Sequence, residues 1–569
     1  MFIDARALPM NAVVETDLCI IGGGAAGITI SQQFIGTPVQ VCLLESGTLD
    51  FDRATQTLYE GRNVGLPYFD LDVCQIRYFG GNTNAWGGWC RPLDPIDFRR
   101  RPWVAESGWP IGEAELRPFY SQAHALCQLR SDDYDPARAA AEIGDPRARL
   151  VPFDPAQLEA SIYRFSAPTR FGQVYREALR QAGNVRCYLN ANVLRIMTSP
   201  EARSVTHVLV GCLGGRRFEV RAKRFVLASG GIENTRLLLL SNDVVSAGLG
   251  NQHDLVGRYF MEHPHTKRAL FATRHTMPSA LYGLTFRDQA ISARLALTEA
   301  LQEREGLLNY SGNIHPVYIG HTAEGWLAFR KLVLSVSRSR RTDPYIRFPP
   351  YGRKGLTLRQ MVDVVRQIDK VAVAAFLQLF QPNRFISGYV LESKSEQAPN
   401  PESRVTLDNA RDAFGLNRVK LDWRTLPVDR HTVVRAEEII EAELMRLGIG
   451  RLAPLDPAEI EGWPANLEGG WHQIGTTRMH EDPRRGVVDP DGRMHGVANL
   501  FVAGSSVFPT AGAAPPTLTI VAMALRLADH LKGLFAVIRR APEAAPALPE
   551  AKAVAELALL SGAATSSPA

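Results

Sequence analysis

Two groups of residues in this chain have types and spacings that could do chemistry. The first is Gly22-x-Gly24-x-x-Gly27, followed 23 positions after Gly22 by Glu45. In such a turn the first glycine permits the tight bend, the second lets backbone N–H groups approach a pyrophosphate, and the third lets helix and strand pack closely. Ala25 and Ala26 would open the helix whose N-terminus faces the phosphates, and Glu45 would accept hydrogen bonds from ribose hydroxyls. The second is His472, in His472-Gln-Ile-Gly-Thr-Thr-Arg-Met479. An imidazole, with an unperturbed pKa of about 6.5, suits a general base working near neutral pH. A buried histidine satisfied by a backbone carbonyl would look the same in sequence, so the residue alone leaves both roles open. The glycine turn implies a dinucleotide but does not choose between FAD and NAD.

These residues need elements to hold them. Residues 13–21 form a short apolar run that stops at the glycines, Ala25 onwards has helical spacing, and Val39–Leu44 returns to a strand pattern ending at Glu45. Strand, turn, helix and strand in that order make a βαβ unit, which raises the turn above an isolated glycine motif. A second strand–turn–helix is expected at Arg224–Gly231 and the residues after it. A third runs from Asn499 to Gly504, through a proline-bearing loop, into a helix over Thr517–Leu531. From about 266 to 465 the pattern changes to strand-like stretches, such as Phe385–Leu391 and Arg418–Trp423, mixed with amphipathic helices such as Val428–Leu447. The expected fold is therefore α/β. A Rossmann-type domain spans 1–265 and 466–540, an inserted α+β substrate domain built on an antiparallel sheet spans 266–465, and an Ala- and Pro-rich flexible tail spans 541–569.

At 569 residues the chain is too long for one core. Its net charge of +5, from 64 basic and 59 acidic residues, is too thin an excess to argue for nucleic acid. The dense basic run Arg338-Ser-Arg340-Arg341 reads as a solvated loop or helix end. All seven cysteines lie in the first 212 residues without a Cys-x-x-Cys pair, so neither a disulfide framework nor a thiolate metal site is expected; Cys19 and Cys42 read as small buried hydrophobes. No metal site is expected. The longest apolar runs, such as Val371–Phe380, fall short of the ~20 residues of a membrane span, and no secretory signal is visible. A cytoplasmic location is the default, with export beside a signal-bearing partner as the alternative.

The chain resembles the glucose–methanol–choline (GMC) oxidoreductases over essentially its whole length apart from the tail, with a pattern similar to the bacterial sugar- and polyol-oxidising branch. The matching pieces are the Gly22–Gly27 turn with Glu45, Phe79–Trp89, Ala228–Arg236, Val256–His263, Asn400–Val405, His472–Met479 and Asn499–Ser505. The resemblance implies FAD, bound without a nicotinamide. Gly80, Gly81, Asn82 and Thr83 would run beside the flavin ring and pyrophosphate; on residue types alone this segment is either a packed lining or a flexible loop. Ala85 stands where some relatives carry a histidine that links FAD covalently, so non-covalent FAD is expected. Val193 matches a backbone contact to adenine, and Gly504, Pro516 and Thr517 match the last cofactor segment. There the helix start would stabilise the reduced flavin with its partial positive charge.

By the same resemblance His472 is the base that takes the hydroxyl proton while a CH–OH group of a sugar, polyol or other small alcohol gives a hydride to flavin N5. Oxygen or a redox partner would take the electrons. The second substrate-facing residue of the family, Asn or His, falls here on Pro515, which has no side-chain donor. His263, His265 and His480 are candidate substitutes, each also readable as structural. The departure leaves two alternatives: a changed chemistry on the same fold (lyase, decarboxylase or tailoring oxidation), or a flavin-binding partner subunit without turnover.

Overall fold

The apolar run before Gly22 forms the strand Ala12–Ile21, at the centre of an eight-stranded sheet in the computed structural model. The structure describes residues 1–167, 169–272, 278–282, 291–318, 329, 358–380, 386–454 and 461–540. Ala12–Ile21 pairs in parallel with Val41–Leu44 on one side and Arg217–Leu227 on the other. Val185–Leu189 and Phe2–Asp4 extend the sheet beyond Val41–Leu44, and Leu500–Val502 pairs in parallel with the end of Arg217–Leu227. These six strands run the same way, so their C-terminal ends share one edge, the edge at which doubly wound sheets bind ligands. Burial on both faces explains why Leu18–Ile21 and Val41–Leu44 read as continuous apolar runs rather than alternating ones.

The helix Ala25–Gln33 follows the first of these strands, Gly231–Leu240 follows Arg217–Leu227, and Thr517–Arg540 follows Leu500–Val502. Each expected strand–turn–helix is therefore present. The last helix runs past its expected end at Leu531, because residues 534–538 are apolar and contain no proline.

A second sheet of seven antiparallel strands runs in the order Gly450–Leu452, His265–Ala272, Ile386–Ser395, Tyr310–Tyr318, Ile291–Leu297, Leu158–Phe165, Trp89–Cys90. One face carries Leu270, Leu295, Ile314 and Leu391, which pack with Ile439, Ile440 and Leu444 of the helix Pro427–Arg446. Strand alternation sends Arg294, Asn313, Glu392 and Lys394 to the other face. Trp89–Cys90 and Leu158–Phe165 come from the stretch 1–265, so both chain segments build this sheet. A three-stranded sheet does the same, pairing Gly61–Asn63 with Asn417–Asp422 and Arg404–Arg411. The chain forms one compact unit from Met1 to Ala528, and a second begins at Asp529. The basic run at 338–341, Phe385 and the tail 541–569 lie outside the described residues.

All seven cysteines are free and buried. Among the described residues no helix is long and apolar enough to cross a membrane.

Candidate active site

The shared edge of the parallel sheet brings together residues far apart in sequence. Gly22 follows one strand, Glu45 the next, Gly230 a third and Gly504 a fourth. Gly22 adopts φ +110°, and a Cβ there would lie 2.5 Å from the Ala228 carbonyl oxygen. A Cβ on Gly27 would lie 1.9 Å from the Gly22 oxygen, so helix and turn meet in a contact that only glycine permits. Gly24 is different: nothing lies within 4 Å of its Cβ position, and no side chain caps the helix Ala25–Gln33. The uncapped first turn therefore faces open space beside a glycine, an arrangement that fits a pyrophosphate.

Glu45 is buried, its Oε2 accepting from Gly23 N at 3.0 Å and its Oε1 from Gly47 N at 2.7 Å. Burial pushes its carboxyl pKa up, against the pull of those two backbone N–H groups. Ala191 N donates to the Glu45 carbonyl, which brings Val193 to this corner. The segment expected to line the flavin also meets the turn. Gly80, at φ +106°, donates its N–H to Gly23 O at 2.7 Å, and a Cβ on Gly81 would lie 3.0 Å from Gly24 Cα. Thr83 Oγ1 caps Gly80 O, and the exposed Asn82 turns its side chain back to Ile76 N and Cys74 O, so this is a packed turn. Ala85 is buried beside Ile76 and Tyr78 and has no nucleophilic group with which to hold a cofactor covalently. Gly504, at φ +103°, follows Leu500–Val502, while Pro516 and Thr517 stand at the start of the last helix, where Ile520 N reaches Pro516 O.

His472 meets His263, 209 residues away, through a 2.7 Å contact between the two Nδ1 atoms. His263 Nε2 in turn lies 2.7 Å from Gly512 O. A carbonyl only accepts, so His263 Nε2 must carry a proton. Burial, outweighing the Gly512 carbonyl and the charge of Glu396, lowers the His263 pKa to about 4, so the ring is neutral and its Nδ1 must accept. His472 Nδ1 is then the donor, which leaves the lone pair on His472 Nε2. No described group hydrogen-bonds that nitrogen, and the ring is half-buried. Burial, with the neighbouring His263, His265, Lys394 and Arg294, holds the His472 pKa well below its ordinary value.

The segment is clamped by Glu262, which is buried and accepts from the N–H groups of Gly470 (2.8 Å) and His263 (3.1 Å) and from the Tyr68 hydroxyl. Desolvation raises its carboxyl pKa to about 7. The structure thus brings His263 and His265 to His472. His480 instead accepts from Asp482 N and bonds His495 through its carbonyl, a local structural role. Pro515 lies just beyond the loop that His263 holds at Gly512. The polar face of the second sheet was not singled out in sequence; the alternation Leu391-Glu392-Ser393-Lys394-Ser395 was the available signal.

Comparison with known proteins bears on the family and the fold. Residues 399–524 match the family profile of the GMC oxidoreductases. The 2-methyl-1,2-propanediol dehydrogenase of Mycolicibacterium austroafricanum is 24% identical, across 92% of this chain and 96% of its own. The paromamine 6'-oxidase of Streptomyces fradiae is 24% identical, across 91% of each chain. The crystal structure of pyridoxine 4-oxidase from Mesorbium loti superposes with a TM-score of 0.55 at 18% identity, covering 91% of this chain and 99% of that one. GMC oxidoreductases are FAD-binding flavoproteins, and the uncapped helix, open Gly24 and Glu45 corner fit that cofactor.

Proposed function

We propose that this chain acts as a GMC oxidoreductase that oxidises a CH–OH group of a small sugar- or polyol-like alcohol with His472 Nε2 as the base. The observation that carries the reading is the directed hydrogen-bond chain from His472 Nδ1 through His263 to Gly512 O, which presents the Nε2 lone pair outward. FAD, when bound, supplies the acceptor for the hydride.

The chain's own residues do the rest. Gly22–Gly27, Glu45, Gly80–Thr83, Val193, Gly504, Pro516 and Thr517 hold the cofactor non-covalently, within residues 1–265 and 466–540. Residues 266–465 contribute most of the substrate-facing sheet. His472 accepts the hydroxyl proton at Nε2, and its low pKa keeps that nitrogen unprotonated at neutral pH. His263 is a positioning residue: it fixes the tautomer and the ring plane. Glu262 fixes the backbone on either side of the pair. The location remains an expectation of the cytoplasm, and the electron acceptor is oxygen or a redox partner.

Anaerobic titration of the yellow holoprotein with sugars, polyols and simple alcohols tests this. Bleaching in the native protein and its loss in His472→Ala is the expected result; equal bleaching in both would remove His472 from the chemistry. Pro515 favours a second reading, in which the fold carries a lyase or decarboxylase reaction. That reading predicts colour that no alcohol bleaches.

A further inference from the structure

The face of the seven-stranded sheet away from the helix Pro427–Arg446 is polar, with Arg294, Asn313 and Ser311 buried and Glu392 and Lys394 half-buried. The register places Arg294, Asn313 and Glu392 side by side on adjacent strands, and Ser311, Lys394 and His265 in the next row. Tyr163, on the same face, donates to Ser311 Oγ (3.1 Å) and reaches Ala513 O (3.4 Å). Ala513 follows Gly512, to which His263 is bonded, so this face and the His263–His472 pair flank one loop. His265 Nε2 and His472 Nδ1 both lie near one point, 3.1 Å and 2.8 Å from the Cβ position of Gly470.

Most of this layer is internally satisfied. Glu392 takes Lys394 at 3.2 Å and His315 Nε2 at 3.1 Å. Asn313 is not: it is 1% exposed, and among the described residues neither its Oδ1 nor its Nδ2 has a hydrogen-bond partner. The Nε2 of His265, 6% exposed, is also without one. Folded proteins seldom leave a buried carboxamide unpaired at both atoms, because desolvating it without return is unfavourable. Since both atoms are free, the conclusion does not depend on which way round the amide is placed. A carboxamide offers one acceptor and one donor side by side. Two neighbouring hydroxyls match that pair, one donating to Oδ1 and the other accepting from Nδ2.

We propose that Asn313 is a specificity-determining residue that reads hydroxyls next to the reacting one, so that the substrate class is a vicinal polyol and not an alcohol with a single hydroxyl. The inference deepens the proposed function and rests on that reading for the reacting centre alone.

Asn313→Leu, near in size and apolar, tests it in the holoprotein. The expected result is a fall of about tenfold or more in kcat/KM for a vicinal polyol such as glycerol or a hexitol, with a monohydric alcohol changing less than about twofold. Without substrate, the thermal midpoint of the variant should be equal or higher, since an unpaired buried polar group has been removed. Binding is read separately from turnover in a His472→Ala background: polyol should raise the thermal midpoint there and fail to do so once Asn313→Leu is added. An unchanged polyol-to-monohydric ratio overturns the proposal. So does a lowered midpoint with equal losses on both alcohols, the signature of an Asn313 paired to buried water. Asn313→Ala gives the same kcat/KM and polyol-binding readings should the leucine variant not fold, with its substrate-free midpoint lowered by the cavity it leaves. If His472→Ala retains activity, the base assignment fails while the thermal-shift comparison still judges Asn313.

Discussion

Replacing His263 with leucine removes the acceptor that holds His472 in its Nδ1–H tautomer. The buried Nδ1–H is then unpaired, which costs about 1–3 kcal/mol. The ring can recover that energy only by moving its proton to Nε2 or by turning, and either change withdraws the lone pair from the substrate side. If the whole cost falls on the reactive arrangement, the rate falls roughly 5- to 150-fold. The loss should appear in kcat, with KM changing little, because His263 has no open face toward substrate: it is 1% exposed and bonded at both nitrogens. Glutamine is the rescue variant, since its Oε1 can accept from His472 while its Nε2 donates to Gly512 O. The assay pairs steady-state kinetics of the native, leucine and glutamine forms with 15N spectra of the histidine rings. A merely structural role would make both variants fail together through stability and would leave the His472 tautomer unchanged. A leucine variant within about twofold of native kcat, or a native spectrum with the His472 proton on Nε2, would refute the reasoning.

The glycine turn gives a paired prediction. Gly27→Ala should abolish FAD loading and lower the thermal midpoint, because its Cβ would meet the Gly22 oxygen at 1.9 Å, whereas Gly24→Ala should leave the apoprotein's midpoint nearly unchanged yet weaken FAD retention, because its Cβ enters only open space. The His472 base should give kcat/KM an acid limb below its ordinary pKa of about 6.5, separate from a limb near 7 set by Glu262: a base with a depressed pKa stays unprotonated until the pH drops below its ordinary value, so a limb at or above 6.5 that persists in Glu262→Gln would contradict the His472 environment. Pro515→Asn restores a side-chain donor and should raise turnover on simple sugars or polyols; an unchanged rate in stopped-flow reduction would show that the donor's absence does not limit this protein.

The cofactor half of the protein was legible from local sequence. A βαβ unit closes within about thirty residues, so the run before Gly22, the helix after Gly24 and the strand ending at Glu45 carry their own signals, and the later strand–turn–helix units repeat them. Seven short motifs in one order likewise carried the resemblance that singles out His472 and, beyond the last of them, Pro515. Sequence could not show which nitrogen of His472 is free. That depends on a ring 209 residues away and on the Gly512 carbonyl, and proton positions are set by whichever partners the fold brings within hydrogen-bond reach. Nor could it show that the side chain of Asn313, an ordinary residue in an alternating strand, has no hydrogen-bond partner among the described residues once the sheet closes around it. Periodicity and turn chemistry are properties of neighbours in the chain and determine where the elements begin and end. Tautomer, desolvation and unpaired polar atoms arise between distant segments, and only the tertiary structure decided them.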